Sequence, residues 1–127
     1  MEEVKKQGVE SLFVPYDLAL ELKKLGFGEP CFGFYDTDGY WYLQYCRNGN
    51  IFKINNGALS PTFSQAFRFF RETYKLHLTI TSISQESWHW HITKPGESLG
   101  KLYEEDFYTY EDAETDGLKK LIELVKN

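Results

Sequence analysis

The chain has few of the residues that staple or anchor a small protein. It contains two cysteines, four prolines and one methionine in 127 residues. Cys31 and Cys46 are too few for a disulfide framework, so we expect two reduced thiols, as in a cytoplasmic protein. No apolar run approaches the about 20 residues that span a bilayer, and the N-terminal stretch lacks the apolar core of a signal peptide. We therefore expect a cytoplasmic location and no membrane partner.

Catalytic motifs and positive charge are also scarce. The sequence has no G-x-S-x-G motif, no glycine-rich phosphate loop and no Cys-x-x-Cys pair, so it gives no grounds for an enzyme or a cofactor. Lys and Arg number 14 against 19 Asp and Glu, and the net charge is −5. This acidic balance argues against nucleic acid as a partner of the whole surface, although a local basic patch stays open.

Aromatic residues are abundant. Three Trp, nine Tyr and ten Phe make up 17% of the chain. Each large ring buries about 150–250 Å², so a short chain can build a core without staples. The length fits one domain covering residues 1–127, with residues 1–13 as a loosely ordered lead-in.

The spacing of apolar residues predicts three helices. The first begins at Pro15 and ends at Gly26, a residue type that favours the left-handed end of a helix. The second begins near Ser60 or Thr62, and the third follows Thr109, where Glu111 and Asp112 suit the helix start. Gly117, inside the third helix, predicts close packing against a sheet.

Alternation with a period of two predicts the strands between these helices. A meander of three strands is expected in residues 32–35, 40–46 and 51–54, joined by turns at 36–39 and 48–49. If Asp36 faces Gly39, Phe34 faces Trp41, and both turns place the same apolar set on one face. That set, the predicted core face, consists of Phe32, Phe34, Trp41, Leu43, Tyr45, Phe52 and Ile54.

Two further strands are expected in residues 76–81 and 88–93, and a third within 101–108. The element order is then α-βββ-α-ββ(β)-α. Antiparallel sheets with helices packed on one face are the expected architecture, a single-domain α+β fold.

Two groups of side chains are candidates for partner binding. Tyr35, Tyr40 and Tyr42 lie opposite the predicted core face, where exposed rings could anchor a protein partner. The alternative is that a helix or the second sheet covers them. Arg68 and Arg71, with Lys75, form a basic face on the central helix that could contact phosphate, or could pair with the acidic stretch from Glu104 to Asp116.

Three histidines are the candidate metal site. His77, His89 and His91 would share one face of the second sheet if its strands pair, and three imidazoles could bind a divalent metal. The alternative is an ordinary exposed sheet face, with Trp88, Trp90 and Ile92 on the side that packs inward.

Four segments carry a resemblance to a known group of proteins. They are PYDLALELKKLGFGEPC (15–31), SPTFSQAFRFFRE (60–72), the Trp-bearing segment 87–93 and TYEDAETDGLKKLIELVK (109–126). Together they resemble a family of small uncharacterised proteins from gut anaerobic bacteria and their bacteriophages, in which the second segment often reads APTxSxxxxWLRE. The resemblance implies an intracellular, phage-related origin and no particular activity.

The second half of the chain is also similar in element order to a double-stranded-RNA-binding domain. That family begins its last helix with a lysine-rich motif that holds phosphates. Here the corresponding residues are Tyr110-Glu111-Asp112-Ala113-Glu114, and their negative charge would repel RNA. The resemblance therefore implies a shape rather than a function.

These observations favour a non-enzymatic binding or accessory protein that acts through protein–protein contact or self-association. A nucleic-acid module using Arg68 and Arg71 is the alternative. A metal-dependent enzyme at His77, His89 and His91 is the remote alternative.

Overall fold

The computed structural model describes residues 8–43, 57–96 and 106–126. The elements are a 3₁₀ helix (Gly8–Leu12), α1 (Tyr16–Lys24), β1 (Gly33–Tyr35), β2 (Trp41–Leu43), β3 (Ala58–Ser60), α2 (Phe63–Thr73), β4 (His77–Ser84), β5 (Ser87–Thr93) and α3 (Tyr110–Val125). Two antiparallel sheets accompany the helices, which confirms the α+β class. The chain divides into two compact units, Met1–Phe63 and Ser64–Asn127, and the single domain stays a prediction.

Helix α1 ends as the sequence predicts. Gly26 has φ 92°, and its N–H donates to the carbonyl of Lys23 at 3.1 Å. The N–H of Phe27 donates to the carbonyl of Leu22 at 3.0 Å, and the two bonds together are those of a Schellman motif. Phe27 is buried beside the helix, so the end of α1 is fixed by hydrogen bonds and by packing.

The chain before α1 is built into the first unit. Residues Gly8–Leu12 form a 3₁₀ helix, and Phe13 is buried and makes a single antiparallel bridge with Thr62. The N–H of Val14 donates to the carbonyl of Pro61 at 2.9 Å. The part of the predicted lead-in from residue 8 onward is therefore structured.

The first sheet has the strand order β2-β1-β3, and its register differs from the predicted one. Phe34 lies opposite Tyr42, and Tyr35 lies opposite Trp41. The predicted pairing of Phe34 with Trp41 is wrong by one residue. Because side chains alternate along a strand, this shift reverses the faces of β1 relative to β2, so that Phe34 joins Tyr42 and Tyr35 joins Trp41. Phe32, which the sequence places in the core, is therefore exposed. Leu43 is also exposed, although it stays on the side of Trp41.

The turn between β1 and β2 explains the shift. The N–H of Asp36 donates to the carbonyl of Tyr40 at 3.0 Å, and the N–H of Gly39 donates to the carbonyl of Asp36 at 3.1 Å. Gly39 has φ 86°. This is a three-residue loop that ends with a left-handed glycine, whereas the prediction assumed a two-residue loop.

The third strand of this sheet, β3, is not among the strands predicted from the sequence. β3 pairs with β1, and the predicted strand 51–54 lies outside the described residues. Ser60, one of the two predicted starting points of the second helix, is a fully buried member of β3. Its Oγ donates to the carbonyl of Val14 at 3.1 Å and accepts from Nε1 of Trp41 at 3.3 Å. Helix α2 begins only at Phe63.

Besides most of α2, the second unit contains a long hairpin that α3 covers. β4 and β5 pair as predicted, and α3 packs against both strands. A Cβ added at Gly117 would lie 2.5 Å from Cδ1 of Leu78 and 3.3 Å from Cγ of Trp90, which confirms the close approach. Of the predicted third strand, the described residues contribute one antiparallel bridge, between Phe107 and Trp88.

The indole ring of Trp41 occupies the space that a side chain at Gly33 would need. A Cβ added at this position would lie 2.6 Å from Nε1 and 2.9 Å from Cε2 of that ring. The ring is rigid, and its N–H is already bonded to Ser60. A side chain at position 33 must therefore displace Trp41 from the inner face of the sheet.

We predict that Gly33→Ala lowers the free energy of unfolding by about 1–3 kcal/mol, because overpacking forces the ring and the strand apart. Urea denaturation measures the change. The matched control is Gly28→Ala, where the added Cβ would approach only the carbonyl oxygen of Gly26, at 4.0 Å. Equal stability of the two variants would contradict the proposed packing.

Candidate functional site

The outer face of the first sheet carries the candidate site. Strand pairing places Tyr42 opposite Phe34 and Phe34 opposite Leu59. The rings of Phe34 and Tyr42 stack with their centroids 5.3 Å apart and an interplanar angle of 21°. A row of apolar side chains therefore crosses all three strands on the side away from the buried Tyr35 and Ser60.

The alternation of side chains along a strand assigns two more rings to this side, just outside the strands. Phe32 precedes β1 and is 63% exposed, and Tyr40 precedes β2 and is 67% exposed. Tyr42 itself is 46% exposed. We call Phe32, Phe34, Tyr40 and Tyr42 the outer aromatic face. Rings that are open to this extent can bury much of their area against a partner.

Tyr35 does not belong to this face, contrary to the sequence-based grouping. It is only 2% exposed, and its hydroxyl donates to the carbonyl of Val14 at 2.9 Å. Burial raises the pKa of Tyr35 to about 12. The one-residue shift in register accounts for the error, because it turns Tyr35 inward together with Gly33 while Phe34 turns outward.

The turn beside the outer aromatic face is organised by one carboxylate. Oδ1 of Asp36 accepts from the backbone N–H of Asp38 at 2.9 Å and of Tyr40 at 3.0 Å. Oδ2 accepts from the hydroxyl of Tyr42 at 3.1 Å. The hydrogen bond from the backbone of Tyr40, followed by that from the Tyr42 hydroxyl, lowers the pKa of Asp36. The bond to Asp36 raises the pKa of Tyr42 in turn.

The basic face of α2 is partly engaged within its own helix. Nε of Arg68 lies 3.3 Å from Oε1 of Glu72, and both side chains are more than half exposed. Arg71 and Lys75 are exposed, and Nζ of Lys75 donates to the carbonyl of Glu72 at 3.2 Å. An exposed ion pair such as that of Arg68 with Glu72 contributes at most about 1 kcal/mol to the stability of the fold. The acid that pairs with Arg68 is Glu72, four residues later in α2, rather than an acid of the stretch 104–116.

The three histidines share a sheet face, as the strand pairing requires. His77 lies opposite Thr93, and His91 lies opposite Thr79. The rings of His89 and His91 meet edge to face with centroids 4.5 Å apart. Nevertheless, within residues 8–43, 57–96 and 106–126 no three His, Cys, Asp or Glu side chains are grouped so that they could hold a metal ion.

An acidic neighbour of His89 was not expected from the sequence. Oδ1 of Asp106 lies 3.6 Å from Nδ1 of His89. The bridge between Phe107 and Trp88 brings this carboxylate to β5 through backbone bonds of 2.7 and 2.8 Å. Asp106 lies outside β4 and β5, so the sequence could not place it near His89 without the pairing of Phe107 with Trp88.

The start of α3 carries a half-buried acid. Oγ1 of Thr109 accepts from the N–H of Asp112 at 3.0 Å, which confirms the predicted start of α3 after Thr109. Glu114 lies one turn further along. Burial, and then the nearby carboxylate of Glu111, raises the pKa of Glu114 to about 7. The folded chain therefore favours the protonated form of Glu114 near neutral pH.

We predict that Glu114→Gln raises the thermal unfolding midpoint at pH 8 and leaves it nearly unchanged at pH 4.5. A carboxyl whose pKa is raised by folding destabilises the fold as pH increases from the unfolded value, about 4.3, to the folded value, about 7. Scanning calorimetry at both pH values measures this. Glu86→Gln, at an exposed position in the β4–β5 turn, is the control. A gain of the same size at both pH values would contradict the assignment.

Three of the four rings of the outer aromatic face are exposed. None of the helices in the described part of the chain is both long and apolar enough to cross a membrane. No known protein family, curated protein or solved structure matches this chain. The side chains of the described residues are therefore the only basis for proposing a function.

Proposed function

We propose that this chain is a non-enzymatic cytoplasmic binding protein, and that the outer aromatic face contacts a partner protein. The observation that carries the proposal is the exposure of Phe32, Tyr40 and Tyr42 on one side of a small sheet. Tyr and Phe are enriched at protein interfaces because a large ring loses little conformational freedom when it is buried. Rings serving only the core would lie on the other side, as Tyr35 does.

The geometry also favours binding over simple exposure. Tyr42 is fixed by its stack on Phe34 and by its hydroxyl bond to Asp36. A surface that is already ordered loses less entropy when a partner docks. Tyr40 and Phe32 flank this fixed pair and supply additional open area.

A nucleic-acid module is the less favoured function. Arg68 is engaged with Glu72, and the start of α3, which would hold phosphate in an RNA-binding domain, carries the acids Glu111, Asp112 and Glu114. Negative charge at that position opposes binding to a phosphate backbone. The proposal therefore rests on the rings and not on the basic helix.

We predict that Tyr40→Thr and Tyr42→Thr, alone and together, weaken association with the partner by about tenfold or more, since central aromatic residues dominate interface energy. Threonine keeps the preference for a strand. Quantitative mass spectrometry of complexes from the host cell identifies the partner, and light scattering over a range of concentrations detects self-association.

The matched control is Tyr108→Thr, which removes a ring that is even more exposed but lies in the second unit. A partner that binds the wild type and this control, but not Tyr40→Thr/Tyr42→Thr, supports the proposal. If all three proteins capture the same partners to the same extent and have the same mass in solution, the outer aromatic face is not the binding surface.

A further inference from the structure

Two carboxylates border the outer aromatic face. Asp36 is held against the hydroxyl of Tyr42 at 3.1 Å, and Asp38 lies exposed in the same turn. The bonds that Asp36 accepts keep its charge in a fixed place rather than on a mobile side chain. The open rings therefore lie beside localised negative charge.

The chain segment that contains these acids has no basic residue. Between Gly26 and Cys46 the sequence contains Glu29, Asp36 and Asp38, and neither Lys nor Arg. Among the ion pairs formed by the described residues, none involves Asp36 or Asp38. Aspartate and glutamate are therefore the only charged residue types in the stretch of chain that carries the outer aromatic face.

Rings and carboxylates together select one kind of partner. The face of a tyrosine ring is electronegative and attracts a cation placed over it. A guanidinium group can stack on such a ring while it donates hydrogen bonds to a carboxylate, which an ammonium group does less well because it lacks a planar surface. Phosphate-bearing partners are repelled by the same charges.

We propose that the outer aromatic face binds an arginine-bearing basic segment of another protein, with guanidinium groups on Tyr40 and Tyr42 and against the carboxylates of Asp36 and Asp38. This inference rests on the proposed function and adds the chemistry of the partner. Tyr42 has a double role, since its ring offers the stacking surface and its hydroxyl keeps the Asp36 carboxylate in place.

Fluorescence anisotropy with labelled peptides tests this inference. The probes are three peptides of equal length in which glycine alternates with arginine, lysine or glutamate, titrated with the full chain at about 150 mM salt, where long-range attraction is largely screened. We expect the arginine peptide to bind more tightly than the lysine peptide, and the glutamate peptide not to bind. Equal binding of the arginine and lysine peptides would overturn the stacking role of the rings.

The decisive comparison is between two variants of equal net charge. Asp36→Asn/Asp38→Asn keeps an oxygen that can accept the turn hydrogen bonds. We expect this variant to bind the arginine peptide about tenfold more weakly than the wild type does, which is the effect of losing one charge-assisted bond. Glu86→Gln/Glu111→Gln removes two exposed acids of the second unit and should bind as the wild type does. Equal weakening by both variants would show a diffuse attraction to an acidic protein and would overturn the inference.

The outcome also separates this inference from the proposed function. If the arginine peptide does not bind, but the host-cell partner is still lost with Tyr40→Thr/Tyr42→Thr, the outer aromatic face binds a protein of other chemistry and only the inference fails. If that variant retains both the peptide and the partner, the proposed function fails as well.

Discussion

The register of the β1–β2 hairpin is the constraint on which the rest of the first unit depends. Asp36 sets it, because the backbone and side chain of this one residue bond to Asp38, Gly39, Tyr40 and Tyr42. Moving the register by one residue would bring Tyr35 to the surface and bury Phe34. The turn therefore decides which rings form the core and which lie on the outer aromatic face.

The inner face is adapted to the same register. Gly33 leaves space for the indole of Trp41, whose N–H reaches the buried Ser60, and Ser60 and Tyr35 both donate to the carbonyl of Val14. These buried polar groups satisfy one another, so a slipped strand would leave several without partners, at a cost of about 1–3 kcal/mol each. The packing of the inner face therefore also determines which rings lie on the outer face of the sheet, beside Asp36.

Local patterns predicted the helices well because their signals lie within a few residues. The glycine end of α1, the Thr109 cap of α3 and the close approach at Gly117 all follow from short-range rules. The hairpin of β4 and β5 follows from its alternation. The β1–β2 register was not predictable in this way, since the sequence DTDG suits both a two-residue and a three-residue loop. The pairing of the two strands distinguishes these loops. The predicted grouping was therefore wrong at Tyr35, which is buried. Tyr40 and Tyr42 are exposed, which is one of the two alternatives that the sequence left open.

The central claim is that Phe34 and Tyr42 face outward together while Tyr35 faces inward. Proton nuclear Overhauser effects in solution test it directly. The account predicts cross-peaks between the rings of Phe34 and Tyr42, whose centroids are 5.3 Å apart, and between the rings of Tyr35 and Tyr16, whose centroids are 5.2 Å apart. Cross-peaks that place Phe34 opposite Trp41, with the Tyr35 ring open to solvent, would contradict the register and the outer aromatic face with it.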